Sequence, residues 1–547
     1  MDAPSGDSIP RPMPDDTPPV PASSDATPAP DRWEWRKRRV KDFLLCLSLA
    51  NLLFIQAWFG VLFQEDRGYF NQLPVSAVTL GALVMNILGL AVVLWLASGL
   101  VRRRGGRALL FVADVTLCLL LLAPLNFIRI HYIEFAGTKV LAMAKTPFAA
   151  IVGLVLIGVF VRWRRTWSRA ARAIVAVLVP LAAFTFVQIL WGFFHLAERE
   201  HPPVGPHPAM LHSAAPDQPR VVWIIFDELD RRVLFDARPD VVALPEFDRL
   251  RREALDATNS FAPAGTTIFS MPALTIGRSP AAVSPVSASD AKLLWQDDGK
   301  ETTWATASNV FTRARSLELN SAIVGWYLPY DRVLASSANQ IDWIPSSAEE
   351  QARAPDLLGS MFNQIGTIAP FLHVRRLSVQ RIGWLLERSV AAAADTNFHL
   401  LFLHLPPPHK PGIFEPETGR LTAYNFSTVR GYLNNLLLAD RVLGQLRRAI
   451  KQSGAGDRTW ILVSSDHWWR ESHFFDGRTD TRVPFILKAP RDSRGLTYGA
   501  AFNTVVSQGL ILAILRREVR DHAEAAAWLD RHHVAPPKGY AGNGKPL

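Results

Sequence analysis

The feature that most constrains this chain is a block of apolar stretches confined to its N-terminal part, at roughly 42–63, 75–101, 108–128, 147–162 and 173–197. A helix needs about 20 apolar residues to cross the hydrocarbon core of a bilayer. The block therefore predicts a transmembrane domain of five helices over residues 42–197. Basic residues gather between the stretches. Arg36, Lys37, Arg38, Arg39 and Lys41 precede the first, Arg102 to Arg104 follow the second, and Arg162, Arg164, Arg165 and Arg169 follow the fourth. The alternate loops, Gln64–Pro74 and Arg129–Thr146, are less basic. Basic loops stay on the cytoplasmic side. The pattern thus predicts a cytoplasmic N-terminus and an extracytoplasmic location for everything after about residue 198.

Composition supports this division. At 547 residues the chain exceeds one ordinary domain, and its mean hydropathy of +0.10 averages a membrane half with a soluble half. The net charge of +10 comes largely from the span-flanking arginines, so no nucleic-acid partner is expected. Both cysteines, Cys46 and Cys118, fall inside apolar stretches. The remainder therefore has no disulfide, zinc–thiolate site or cysteine nucleophile. Residues 1–41 read as a disordered basic cytoplasmic tail, its first 31 residues rich in Pro, Asp, Ser and Ala. Residues 198–219 read as a proline-broken linker.

In residues 220–547, short apolar runs alternate with helical patterns, which predicts an α/β domain. Val221–Phe226, Ala322–Trp326, Phe398–His404, Trp460–Val463 and Val483–Leu487 are the expected strands. Leu244–Leu255 and Thr428–Ile450 carry helical periodicity. Ligands of an open α/β sheet bind beyond the carboxyl ends of its strands, and two acidic clusters lie there. Asp227-Glu228 follows VVWIIF, and Asp466-His467 follows WILVSS. Either aspartate alone would serve equally as a helix cap. Together, carboxylates and an imidazole from separate strands could converge on one divalent cation, zinc or manganese by donor type. Between the clusters, Thr267 precedes a helix expected to begin near Ser270-Met-Pro272. A hydroxyl at a helix N-terminus, bound to the same metal, would become a usable nucleophile.

Residues 220–500 resemble the sulfatase and alkaline-phosphatase superfamily. RVVWIIFDELD, LPEFDRLRREALDATNSFAPAGTT and TIFSMPALTIGR resemble its opening strand, first helix and nucleophile segment, in order. SSDHWW and RVPFILKAP resemble its closing Ser-Asp-His motif and the strand after it. In the resembling sulfatases the nucleophile is a formylglycine made from cysteine or serine, ten residues before the Gly of a Thr-Gly-Arg. Counting back from Gly277 reaches Thr267, which cannot be converted in that way. Threonine is the nucleophile in the branch of phosphoethanolamine transferases and lipoteichoic-acid-synthase-type phosphoglycerol transferases. Those proteins also carry five spans before an extracytoplasmic α/β catalytic domain of this type.

Two further segments resemble the phosphoethanolamine transferases. His404-Leu-Pro-Pro-Pro-His409-Lys410-Pro411 is similar to a substrate-lining segment, and Tyr432 to Asp440 to a helix carrying Tyr, Asn and Asp. The resemblance implies a metal held by Asp227 or Glu228 with Thr267, Asp466 and His467, zinc before manganese. It also implies a bacterial-type plasma-membrane location, a membrane phospholipid donor and an envelope glycan or lipid acceptor. On that reading His404 and His409 bind phosphate or protonate a leaving alkoxide, and Arg278, Lys410 and His473 contact the substrate. The chain departs from the pattern where Trp468 and Trp469 replace the glycine side of the Ser-Asp-His motif, which predicts a reshaped pocket. Transfer, hydrolysis by a phosphodiesterase of the same superfamily, and a non-catalytic remnant are the functions these residues leave open.

Overall fold

The computed structural model describes residues 32–63, 70, 73, 75–129, 154–155, 158–196, 206–211, 217–345 and 352–539. Most of the expected fourth span, the tail over 1–31 and much of the linker lie outside the described residues. Three helices are long and apolar enough to cross a membrane: Ala77–Arg104, Arg107–Ile128 and Arg164–Phe194. A fourth is counted if Trp35–Leu53 and Ile55–Leu62, bent by 67° at Phe54, form one span. Five spans are therefore not established among the described residues. The Trp58 indole donates to the Asn51 carbonyl across the bend, at 2.9 Å.

The basic segment Arg36–Lys41 is helical rather than part of a tail, because helix Arg32–Leu53 starts ahead of it. Lys37 lies 5.1 Å over the Trp33 ring and Arg39 4.5 Å over Trp35. These pairs, one helical turn apart, favour helix in a segment that composition alone reads as disordered. Polar side chains tie the first helix to the last: Ser48 donates to the Val175 carbonyl and Asn51 to the Thr185 hydroxyl. Such bonds hold apolar helices together where hydrophobic contrast with lipid is absent.

The α/β domain is built on an eight-stranded sheet. In chain order its strands are β1 (Arg220–Phe226), β2 (Leu255–Ala257), β3 (Ser321–Trp326), β4 (Gln340–Ile344), β5 (Leu400–Leu405), β6 (Thr459–Ser465), β7 (Phe485–Lys488) and β8 (Leu496–Tyr498). Their spatial order is β8-β2-β7-β6-β1-β5-β3-β4. Every pairing is parallel except those of β7, which runs against both neighbours.

All seven residues of β1 are buried, as expected of a strand covered on both faces. Its alternate residues feed different cores. Val221, Trp223 and Ile225 pack on one side with helices Thr267–Ile276 and Ser507–Leu515. Val222, Ile224 and Phe226 pack on the other with Pro245–Arg252 and Thr428–Gln452. The expected helix Leu244–Leu255 stops at Arg252, because Leu255 already belongs to β2. A separate three-stranded sheet, Pro280–Ser287, Asp290–Trp295 and Glu301–Thr303, follows the Thr267 helix.

Candidate active site

Strand register builds the centre. Phe226 at the end of β1 pairs with Ser465 at the end of β6. The next residue of each strand, Asp227 and Asp466, therefore leaves the sheet at the same level. His467 follows, and its Nε2 lies 3.6 Å from Asp227 Oδ1 and 3.4 Å from Asp466 Oδ2. Among the described residues these three form a group whose ligand atoms all fall within 4.8 Å of one another. All three are buried.

The nucleophile candidate reaches the same point from another element. Helix Thr267–Ile276 begins at Thr267 itself, three residues earlier than the sequence suggests, with Thr266 extended before it. Thr267 Oγ1 donates to Asp466 Oδ2 at 2.7 Å and lies 3.4 Å from His467 Nε2. Ser270 holds the approach to this helix, since its hydroxyl donates to the Ala264 carbonyl and accepts from the Ala264 N–H. Gly277, at φ +80°, ends the helix where a side chain would be strained.

The donor set fits a divalent cation. His467 Nδ1 lies 2.9 Å from the Trp468 carbonyl, which fixes the ring and leaves Nε2 facing the carboxylates. Asp227 Oδ1 is buried without a hydrogen-bond partner. Burial, with Asp466 and Glu228 beside it, pushes the Asp227 carboxyl well above its usual range. Burial also opposes ionisation of Asp466, but His467, His404 and the Thr267 hydroxyl outweigh it and hold that carboxyl low. A buried carboxylate in need of compensation, beside a second carboxylate and the His467 Nε2, is a donor set that could hold a divalent cation.

The other sequence candidates separate. Glu228 lies outside the triad, with φ +62° turning its side chain to Arg470 at 3.0 Å. Only its backbone N–H turns back, toward Asp466 Oδ1 at 3.3 Å. His404, on β5, is buried with Nε2 3.8 Å from Asp227 Oδ2. Burial lowers its pKa to about 4, so the ring is neutral near pH 7. Its Nδ1 lies 2.8 Å from the Tyr330 hydroxyl, a partner that sequence reading missed because Tyr330 belongs to a four-residue helix after β3.

His409 is half-buried beside Trp326. The buried Asn435 amide donates to the His409 and Pro411 carbonyls and accepts from Ile413 N–H, clamping that loop. Lys410 pairs with Glu471 at 2.6 Å. Arg278 pairs with Asp297 and Asp298 and covers Trp295, so it is engaged on the three-stranded sheet. His473 is exposed and packs on Phe474. Asp440 accepts from the Glu246 and Phe247 N–H groups, capping helix Pro245–Arg252 and leaving the metal to others.

Trp468, at the glycine position of the motif, and Trp469 after it are both packed. Trp468 joins Ala262 and Val483. Trp469 stacks on Tyr432 at 3.8 Å and 5°. The Tyr432 hydroxyl donates to the Glu228 carbonyl at 2.8 Å and accepts from Asp230 N–H at 3.2 Å, bracing the turn that carries Asp227. Ser465 Oγ accepts from Leu229 N–H and sits within hydrogen-bond distance of the Phe226 and His467 carbonyls.

Next to the triad lies a cavity of about 1010 Å³. Leu53, Leu119 and Leu122 of the apolar helices line one part, and His409, Lys410, Trp326, Tyr432 and Trp469 another. The triad itself does not line it.

Residues 219–508 match the family model described as Sulfatase, more than half of the chain. The chain belongs to the sulfatase family. No curated protein sequence matches it. Among solved structures it is similar to the PsFucS1 sulfatase from Pseudoalteromonas sp., at 14% identity and TM-score 0.39, over 55% of this chain and 68% of that one. It is similar to the phosphonate monoester hydrolase of Agrobacterium radiobacter at 14% identity and TM-score 0.37, over 59% and 79%. An alkaline phosphatase superfamily protein from Vibrio parahaemolyticus gives 14% and 0.35, over 58% and 71%.

Proposed function

We propose that this chain is a membrane-anchored, metal-dependent phosphotransferase. It moves a phospho-head group, phosphoethanolamine or phosphoglycerol, from a membrane phospholipid to an extracytoplasmic glycan or lipid. The observation that carries the reading is the Thr267 hydroxyl, 2.7 Å from Asp466 at a helix N-terminus, beside a buried Asp/Asp/His cluster. A sulfatase of the formylglycine type needs a cysteine or serine there, whereas an alcohol suits phosphorus chemistry without modification.

Asp227, Asp466 and His467 would hold the metal. A bound zinc or manganese ion would lower the Thr267 hydroxyl pKa and offset charge on the phosphoryl oxygens. Asp466 accepts the Thr267 hydrogen bond, so it is placed to take that proton. Thr267 Oγ1 then forms a bond to phosphorus as the bond to the glycerol oxygen breaks. The departing alkoxide takes up the proton that Asp466 received and leaves as diacylglycerol. An acceptor hydroxyl next attacks the phosphothreonine diester, the Thr267 Oγ1–phosphorus bond breaks, and the hydroxyl's proton passes by way of Asp466 to Thr267 Oγ1, restoring Thr267. His409 lines the cavity wall and His404 does not, so His409 is the better placed of the two to meet a substrate, although burial lowers the pKa of both.

A lipid donor is supported by the cavity, whose wall joins leucines of the apolar helices to Lys410 and His409. Tethering donor and enzyme to one bilayer also raises their effective concentration. The test is full-length protein in liposomes holding head-group-labelled phosphatidylethanolamine or phosphatidylglycerol, with and without envelope glycan. Label moving to glycan supports transfer. Release as free head group at an equal rate with and without glycan would make the chain a phosphodiesterase. No turnover of either lipid, with metal bound, would overturn the donor.

A further inference from the structure

Helix Leu357–Gly366 lies within the α/β domain sequence but is built inside out. Its apolar residues face outward: Leu358 is 66% exposed, Phe362 69% and Ile365 47%. Its polar residues Ser360, Asn363 and Gln364 are buried, as is the following Thr367. A helix on a water-facing surface shows the reverse pattern. No charged residue occurs from 357 to 369.

Every one of those buried polar side chains is satisfied internally. Ser360 exchanges hydrogen bonds with Ala354, Asn363 donates to the Arg353 carbonyl, and Thr367 donates to the Gln364 carbonyl. Gln364 donates to the Thr79 carbonyl and accepts from the Asn86 amide at 2.9 Å. Thr79 and Asn86 belong to the apolar helix Ala77–Arg104, whose neighbouring residues Met85, Leu88 and Val92 are exposed like Phe362. Arg353, buried just before the helix, donates to the Gly60 and Leu73 carbonyls at the ends of the apolar helices.

We infer that Leu357–Gly366 is a re-entrant membrane element whose Leu358, Phe362 and Ile365 face touches lipid acyl chains. Ten residues rise about 15 Å, half of a hydrocarbon core of about 30 Å, so the segment enters and returns on one side. Full internal hydrogen bonding is what burial in lipid requires. The lipid-facing surface of Ala77–Arg104 continues directly onto this face. The element also positions the α/β domain, since Ile368 and Ala369 at its end line the cavity beside His409. The inference rests on reading the N-terminal helices as membrane spans and is independent of the reaction at Thr267.

The test uses full-length protein in liposomes with Cys46 and Cys118 replaced by serine. Phe362→Cys and, separately, Leu358→Cys carry a nitroxide label. Val93→Cys, 60% exposed on a span, and Val241→Cys, 90% exposed on the α/β domain, are the lipid and water references. Collision with oxygen and with a water-soluble nickel chelate is measured. The inference expects both test sites to match Val93→Cys, with oxygen access and loss of nickel access. Nickel access equal to Val241→Cys at both test sites overturns it. Shielding from both reagents also overturns it and indicates a protein partner or second copy. Nickel access at Val93→Cys would instead overturn the membrane reading itself.

Discussion

Tyr432→Phe isolates how the turn that carries Asp227 is held. The substitution keeps the ring that stacks on Trp469 and removes only the hydroxyl. That hydroxyl serves the Glu228 carbonyl and the Asp230 N–H, both in the buried turn after β1. An orphaned buried polar group costs about 1–3 kcal/mol. Because the Asp230 bond is long at 3.2 Å, the pair should cost about 2–4 kcal/mol in total. Burial pushes the Tyr432 pKa well above 10, so the bond is present across the usable pH range. The same turn places Asp227, and loss of an outer-shell contact typically weakens metal binding about 10–100-fold. The assays are thermal unfolding of full-length protein in detergent and metal binding by competition with a chromophoric chelator. The variant should unfold earlier and bind zinc at least about 10-fold more weakly. Unfolding within about 0.5 kcal/mol of wild type, with unchanged zinc affinity, would refute the bracing role.

Three further outcomes follow from the same geometry. Asp440→Ala should lower stability by about 1 kcal/mol through loss of the cap on Glu246 and Phe247 N–H, read by the unfolding midpoint. Asp440→Asn keeps an acceptor; burial raises the native carboxyl to about 6, so the native state holds the proton more tightly than the unfolded chain. Wild type should thus gain stability as pH falls from about 6 towards 4, and the asparagine variant should lack that gain while being no less stable at pH 7.5. Asp256→Ala strands the buried Arg231 guanidinium, which it pairs at 2.8 Å and 3.1 Å, and should cost about 3–5 kcal/mol. The paired Arg231→Met, Asp256→Leu variant should recover most of it in the same unfolding assay. Burial, with Asp466 and Glu228 beside it, raises the Asp227 pKa without metal, so cation binding below that pKa should release a proton. Apparent zinc affinity should therefore rise about tenfold per pH unit below the Asp227 pKa, and Asp227→Asn should flatten that slope while weakening binding.

How far the sequence reached varies by element. β1 and β6 were legible because continuous apolar runs ending in Asp are what strands buried on both faces require. The Asp227, Asp466 and Thr267 placement followed from those strand ends and a helix start. β2 and β8 were not legible, since each has three residues and β2 carries Asp256, whose charge is paired by Arg231 and Arg251. In sequence Glu228 is a close second to Asp227 as a ligand, and only a left-handed backbone turns it towards Arg470. Arg278 looked available to substrate, but its partners Asp297 and Asp298 sit in a hairpin whose fold local pattern did not reveal. The tail reading failed over Arg32–Lys41, where cation–ring pairs at helical spacing outweigh charge repulsion.

The most direct test of the account is to ask whether Thr267 carries the head group. Full-length wild-type protein would be mixed with head-group-labelled phospholipid in liposomes, quenched early in acid, and its peptides analysed by mass spectrometry. The account predicts a phosphodiester adduct on Thr267 that disappears when acceptor glycan is added and never forms in Thr267→Ala, although that variant still binds zinc. Full head-group turnover by Thr267→Ala, or an adduct on another residue, would contradict it.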